Sequence, residues 1–390
     1  MAEASVLVEK IRAVLPDVRE LRHQLHQIPE IAFKEYKTSA RIREYLEGLG
    51  LPLLPTTLGT DVTAVLKGGR PGPTVLLRSD IDALPIEEAT GAKYASRHPG
   101  YAHSCGHDGH MAMLLGTATV LAQLQAQVPG TVQFLFQPAE ESDAGAKSLV
   151  DAGYFEKGPR IDETYALHGW PGVPAGVVEC CPGPIMASTD DFLITLTGTG
   201  GHGAVPFKAV DLVSASAAFI LALKCAAAAL DTPESPVVVS VCAVSGGSTY
   251  NVFPEKLVLK GTSRYLSDNV GQEIKKTIKQ LLDQFIIPAG GQYTIEQPKP
   301  DYVAVDNSPE LYKRVEAVAV KYLGKEKWKG NAVCSMCGDD FGFILQKLPG
   351  VYFHLGVGEN YPSLHDSAYN FNDDALEAGI LMMCGLVLER

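Results

Sequence analysis

Residues 103–112 read HSCGHDGHMA, placing three histidines, a cysteine and an aspartate between His103 and His110. Side chains of this kind are costly to bury unless something binds them. Cys105 and His107 stand two apart on a turn and can point into one space. A thiolate, imidazoles and carboxylates together suit zinc or another borderline divalent ion. Four other segments offer groups of the same kind. RSDIDALP carries Asp80 and Asp82, QPAEE carries Glu140 and Glu141, ALHGW carries His168, and SLHDS carries His365. Adjacent glutamates can divide the work, one ligating a cation and the other acting as a base. A cation lowers the pKa of its water to about 7. The base then assists attack on a carbonyl carbon and later protonates the leaving nitrogen. Taken singly, each group has a plainer reading: an inert buried thiol, a core histidine, a solvated glutamate pair. Their coincidence at the ends of separate apolar runs decides for a metal centre.

The elements that must position these groups can be read from the apolar runs. DVTAVLKGG (61–69), TVLLRSDIDALP (74–85), GTVQFLFQPAEE (130–141), DETYALHGW (162–170) and VYFHLGVG (351–358) read as strands. Helical patterns separate them, at residues 110–127 and 144–155, after a helical opening from Ser5 to Gly48 punctuated by Pro16 and Pro29. Strands alternating with helices predict an α/β domain with a largely parallel sheet. In such sheets sites gather at the carboxyl ends of strands, where the polar clusters fall. From about Ala187 the pattern becomes strand 191–200, helix 209–230, strands 236–247 and 256–266, helix 271–286 and strand 291–299. That βαββαβ order is ferredoxin-like. The reading is therefore a catalytic domain of residues 1–186 and 300–390 with a smaller domain, 187–299, inserted into it.

The stretches LRHQLHQIPEIAFKEYKTS, LLRSDIDALPI, HSCGHDGHMAMLLG, FQPAEE, LHGWPGVPAGVV, GTGGHGAVPF, NVFPEK, GTSRYL and SLHDSAYNFNDDAL follow one another along almost the whole chain. In these stretches the sequence resembles the peptidase M20 family, in the branch of N-acyl-amino-acid amidohydrolases, hippurate hydrolases and auxin-conjugate hydrolases. The resemblance implies a zinc-peptidase-like α/β domain holding two divalent ions (Zn, Mn, Co or Ni) and an inserted lid. It implies Cys105, His107, Glu141, His168 and His365 as metal ligands and Glu140 as the general base. It makes His202, on the glycine-rich GTGGHGAVP turn, the oxyanion partner, acting within its own chain or across a homodimer formed through the lid. Asn251 and Arg264 would hold the substrate's carboxylate, the guanidinium through paired hydrogen bonds. Where other branches have a histidine, this chain has Asp80. Asp82 is expected to orient a ligand imidazole, with Asp80 beside it or, as the lesser option, ligating directly. One departure concerns CSMCGDDFGF, where Asp339 stands at a position usually held by glutamate and bears on substrate preference. The C-x-x-C of Cys334 and Cys337 and the Cys180–Cys181 pair lie outside the family pattern and read as packing.

The implied reaction is hydrolysis of a small-molecule N-acyl amino acid to a carboxylic acid and a free amino acid. Rivals are a dipeptidase, carboxypeptidase or N-acetyl-diaminopimelate deacetylase on the same site, a metal-free cysteine amidase using Cys105 with His107 or His110, and a non-catalytic binding protein. Composition narrows the partners. The 390 residues carry 33 basic and 45 acidic groups, a net charge of −12, which disfavours nucleic acid and anionic membranes. The most apolar stretch, residues 213–230, is interrupted by Lys224 and reads as a buried helix rather than a membrane span. The opening residues lack a signal-peptide pattern, and eight cysteines are too few for a disulfide scaffold. A cytoplasmic location is expected on those grounds.

Overall fold

The computed structural model describes residues 2–390, which divide into two units. The first comprises residues up to Ile185, Val305–Cys334 and Asp340–Arg390; the second comprises Met186–Ala304 and Ser335–Asp339. The short Ser335–Asp339 segment joins the second unit although its neighbours on both sides belong to the first, so Cys334 and Cys337 fall in different units.

The first unit opens with helices α1 (Ala2–His26) and α2 (Tyr36–Gly48). Strands β1 (Val62–Lys67) and β2 (Arg70–Asp80) follow, then helix α3 (His107–Gln123), β3 (Pro129–Gln137), the short helix α4 (Glu140–Asp143) and β4 (Glu163–Pro171). They belong to a seven-stranded sheet ordered β1, β3, β2, β4, Gly350–Gly358, Val178–Glu179 and Trp328–Lys329. The four strands β3, β2, β4 and Gly350–Gly358 run parallel, while β1 is antiparallel to β3. Register brings Asp80 level with Gln137 and His168 level with His354. The carboxyl ends of the central strands therefore present Asp80, Glu140, His168 and the loop leading to His365 along one edge. Helices α1, α3 and Leu376–Leu388 bury one another's apolar faces through Val18, Leu21, Met111, Leu115, Ile380 and Met383. Gly116 permits this approach, since a Cβ there would sit 2.8 Å from Ile380 Cδ1. Pro16 does not break α1 as the sequence suggested. A proline inside a helix forfeits a backbone bond, and the buried stripe of Ile11, Val18, Leu21 and Leu25 keeps the helix continuous.

In the second unit, strands Gln292–Glu296, Ser188–Thr197, Lys256–Tyr265 and Val238–Ser245 form, in that spatial order, an antiparallel sheet. Helices Leu212–Leu230 and Asp268–Phe285 cover one face, packing Phe219, Leu223, Ile274 and Ile278 on Ile194, Leu196 and Leu259. Among the described residues, Leu212–Leu230 is the one helix long and apolar enough to cross a membrane by length and composition. It is not the buried helix expected from sequence: Val213 and Leu221 on its outer side are exposed. Its alanine-rich composition satisfies a buried and an open face equally, so the apolar run alone did not show that one side faces outward.

Candidate metal centre

The HSCGHDGH segment is a turn feeding a helix. Gly106 closes the turn at φ 86° and is the N-cap residue of α3, whose first residue is His107. Any other residue would be strained there, because side chains disfavour positive φ. A Cβ would also lie 3.0 Å from the Tyr369 hydroxyl. The turn thus sends Cys105 and His107 into one buried space. Cys105 Sγ lies 3.4 Å from His168 Nε2, and the ligand-capable atoms of Cys105, His107 and His168 fall within 4.8 Å of one another. A second group with the same spacing joins Cys105, Glu141 and His365, and a third joins His107, Glu140 and Glu141. Cys105 belongs to two of these groups and Glu141 to two, so the sets merge into one centre with donors enough for two divalent cations.

Hydrogen bonds fix the histidine tautomers. His107 Nδ1 donates to the Asp82 carbonyl at 2.8 Å, leaving Nε2 3.7 Å from Glu141 Oε1 with no hydrogen-bond partner. His168 Nδ1 donates to the Gly169 carbonyl at 2.9 Å, which turns its Nε2 lone pair toward Cys105. His365 Nε2 is 3.4 Å from Glu141 Oε2, and its own amide donates to Ser104 O at 2.8 Å. This ties the loop after Gly350–Gly358 to the cysteine turn.

The electrostatics ask for positive charge. Burial disfavours a charged His107, yet Asp80, Asp82 and Glu141 outweigh it and raise its pKa to about 10. Burial alone would raise Glu141, but hydrogen bonding from His365 and the charge of His107 hold it below its ordinary value. Burial, reinforced by Glu141 and Glu140, pushes the Cys105 thiol well above its usual range. Burial drives His168 well below its usual value, keeping it neutral. Buried Nε2 of His107 and Oε1 of Glu141 lack hydrogen-bond partners and lie 3.7 Å apart in this space. A cation answers all of these demands at once, since a coordinated thiol ionises and a coordinated imidazole gives up its second proton.

Asp80 and Asp82 take distinct positions. Asp80 Oδ1 accepts from His110 Nδ1 at 2.7 Å and Oδ2 from Arg78 at 2.7 Å, so both oxygens are already engaged. Asp82 Oδ2 accepts from the Glu141 amide at 3.0 Å, while its Oδ1 is 3.5 Å from His107 Nδ1. His110 also accepts from the Gly169 amide at 2.8 Å, which leaves neither ring nitrogen open. The supporting groups that motif reading passed over are Arg78, Gln137 and Asp340. Arg78 donates to Asp80, Gln137 and Asp340, and Asp340 also accepts from Gln137 and the Ala146 amide, all in the core. An arginine inside an apolar strand run, two residues before Asp80, was the signal available. The remaining predicted residues lie in the second unit. His202 pairs with Val252 in a two-stranded ribbon, and Asn251 O accepts from the Gly203 amide at 2.7 Å, so these two are neighbours. Arg264 is on a different sheet, where it donates to Thr262 and the Ser263 carbonyl and lies 3.8 Å from Asp191.

Residues 76–389 match peptidase family M20/M25/M40. The N-acetyldiaminopimelate deacetylase of Lactobacillus helveticus (strain DPC 4571) is 33% identical over 377 residues, covering 95% of this chain and 97% of that protein. Thermostable carboxypeptidase 2 of Saccharolobus solfataricus is 33% identical over 387 residues, covering 96% of each. Among solved structures, the YXEP protein of Bacillus subtilis, a dinuclear metal-binding peptidase of the M20 family, superposes with a TM-score of 0.84 at 29% identity, covering 97% of this chain and 98% of that one.

Proposed function

The chain belongs to peptidase family M20/M25/M40, and from that premise we propose that it hydrolyses the amide bond of N-acyl amino acids, releasing a carboxylic acid and a free amino acid. The observation that carries this reading is the convergence of Cys105, His107, Glu141, His168 and His365 with Glu140 alongside. Those five residues are the ligands of the proposal. When bound, two divalent cations polarise the scissile carbonyl and make a water acidic enough to be deprotonated near neutral pH. Glu140 is the base: it takes the proton from the attacking water and returns it to the departing amine. Asp82 steadies two ligands, receiving the His107 Nδ1 proton on its carbonyl and the Glu141 amide on its carboxylate. His202 is assigned to the oxyanion. Its Nδ1 accepts from the Ala204 amide at 3.0 Å, so in the neutral ring the proton resides on Nε2, as a donor requires. Asn251 and Arg264 are assigned to the substrate's carboxylate.

Residues 187–299, which make up most of the second unit, fit a ferredoxin-like lid, supported by their βαββαβ order and antiparallel sheet. The edge strand Val238–Ser245, where Val238 and Val244 are exposed, supports a homodimer paired through this unit. A carboxypeptidase reading is favoured by the Saccharolobus relative and a deacetylase reading by the Lactobacillus one. Turnover of N-acetyl and N-benzoyl amino acids against dipeptides and N-acetyl-diaminopimelate separates them. The cysteine amidase needs a thiol held low, the opposite of the environment of Cys105. The decisive experiment pairs metal analysis with that panel, before and after chelation, in wild type and Glu140→Gln. Reversible loss on chelation and a Glu140→Gln protein that keeps its metal but loses about a thousandfold in kcat are expected. Activity indifferent to chelation overturns the proposal.

A further inference from the structure

We propose that Glu35 is a positioning residue for the turn that carries Glu140 and Glu141, holding Ala139 in a left-handed conformation by accepting its amide hydrogen. This rests on the function proposed above for those two glutamates. Glu35 is fully buried and stands at the N-cap of α2, yet its side chain makes no capping bond to that helix. It reaches 104 residues along the chain instead: Oε1 accepts from the Ala139 amide at 3.0 Å and from the Phe33 amide at 3.0 Å, while Oε2 accepts from the Thr60 hydroxyl at 2.9 Å.

Backbone strain marks the same place. Among the described residues, Phe33, Ala139, Ala144 and His365 are the ones other than glycine with positive φ. Ala139 (φ 59°) and Ala144 (φ 48°) bracket α4, Phe33 donates to Glu35, and His365 sits against Glu141. A side chain in that conformation persists only where its surroundings impose it. For Ala139 they do so with two bonds, from its amide to Glu35 and from the Gly145 amide to its carbonyl at 2.9 Å. Asp82 holds the next turn residue but one through the Glu141 amide. Two carboxylates thus grip the backbone on either side of Glu140. Burial, with Asp82 nearby, raises Glu35 to about 7, so an uncharged isostere suits the position.

The test compares Glu35→Ala, Glu35→Asp, Glu35→Gln and Glu35→Ala combined with Ala139→Gly, each loaded with cobalt(II). Displacing Glu140 by about an ångström lowers kcat by about a hundredfold, with KM held within about threefold because the turn's role is in the reaction rather than in uniform binding. Glu35→Asp, one methylene short of Ala139, shows the same loss and serves if Glu35→Ala does not fold. Glu35→Gln keeps the two bonds accepted by Oε1, from Ala139 and Phe33, donates to the Thr60 hydroxyl instead of accepting from it, and retains kcat within about threefold. The Ala139→Gly change restores at least about tenfold of what Glu35→Ala loses, because glycine adopts the required φ without being held. Cobalt affinity, read by titration, falls about tenfold in Glu35→Ala and Glu35→Asp through Glu141 and recovers in the double variant. If wild type turns over no N-acyl amino acid, the proposed function fails and the cobalt series alone decides on Glu35. Unchanged kcat and cobalt affinity in Glu35→Ala or Glu35→Asp, or no recovery with Ala139→Gly, overturns the inference.

Discussion

Replacing Asp108 by asparagine tests how the cysteine turn is anchored. Asp108 is the second residue of α3, directly after His107, and its carboxylate is buried. Its Oδ2 accepts from Arg22 at 3.0 Å and from His26 Nδ1 at 2.7 Å, and His26 Nε2 donates to Glu88 at 3.2 Å. Both nitrogens of His26 donate, so the ring is an imidazolium. Burial opposes that charge, but Asp108 and Glu88 outweigh it and raise His26 to about 9. At an effective dielectric near 20, each contact at about 3 Å is worth roughly 5 kcal/mol before desolvation. Taking three ions from water offsets most of that, but the asparagine variant leaves Arg22 and His26 as two cations sharing a buried space. Removing one partner of such a set costs about 3–5 kcal/mol. Urea unfolding followed by fluorescence is expected to show that loss at pH 6. Linkage adds a second signature. A group raised when folded stabilises fully below its unfolded pKa of about 6.5 and loses that contribution as pH rises through the folded value of about 9. Wild type should therefore lose about 3 kcal/mol between those values, and Asp108→Asn, whose His26 keeps its bond to Glu88 but loses the Asp108 carboxylate, should lose less over the same interval. A destabilisation below about 1 kcal/mol, or a wild-type stability flat from pH 6.5 to 9, would refute a buried, charged Asp108–His26–Arg22 set.

Three further outcomes follow from the same geometry. Gly106→Ala forces a side chain to φ 86° against Tyr369, and calorimetry should register a loss of about 1–2 kcal/mol together with weaker cobalt binding. Arg78→Met removes the guanidinium shared by the buried carboxylates of Asp80 and Asp340, and chemical denaturation should show a loss of about 3–5 kcal/mol; a neutral result would refute that ion pairing as a source of stability. Acidification acts through Glu88, which hydrogen bonds from His26 and the Ser96 amide hold down at about 2 against burial. Its stabilisation is complete above pH 4.5 and fades as pH falls toward 2, so Glu88→Gln should flatten the acid limb of the stability curve.

What could be read from sequence was whatever announces itself by residue type at a strand end. The parallel strands that end at Asp80, lead into Glu140 and carry His168 are apolar runs bounded by glycine and proline, and the helix after Gly106 begins where the polar turn ends. What stayed hidden is held by pairs distant in sequence. No local pattern says that Asp82 meets His107 with its carbonyl and Glu141 with its carboxylate, or that Asp80 spends both oxygens on His110 and Arg78. The open side of Leu212–Leu230 was equally illegible, because alanine carries almost no preference between core and surface. Boundaries slipped where a cap is not a preferred capping residue: Glu35 precedes α2 and Ala139 precedes α4, and neither side chain caps its own helix.

Those two poor caps explain each other, and they locate the support of the site outside the segment that carries its donors. The proposed donors lie between Cys105 and His365, within the family match of residues 76–389. Arg22, His26 and Glu35 lie before it, in LRHQLHQIPEIAFKE. Arg22 and His26 fix the start of α3 through Asp108, and Glu35 fixes the start of α4 through Ala139. Buried, hydrogen-bonded polar groups of this kind hold their partners in one orientation. Here the partners are the residues directly flanking His107 and Glu140. The N-terminal helices therefore act as a frame that sets two donor-bearing turns against each other, and a change within residues 22–35 should reach the metal centre without touching a single donor.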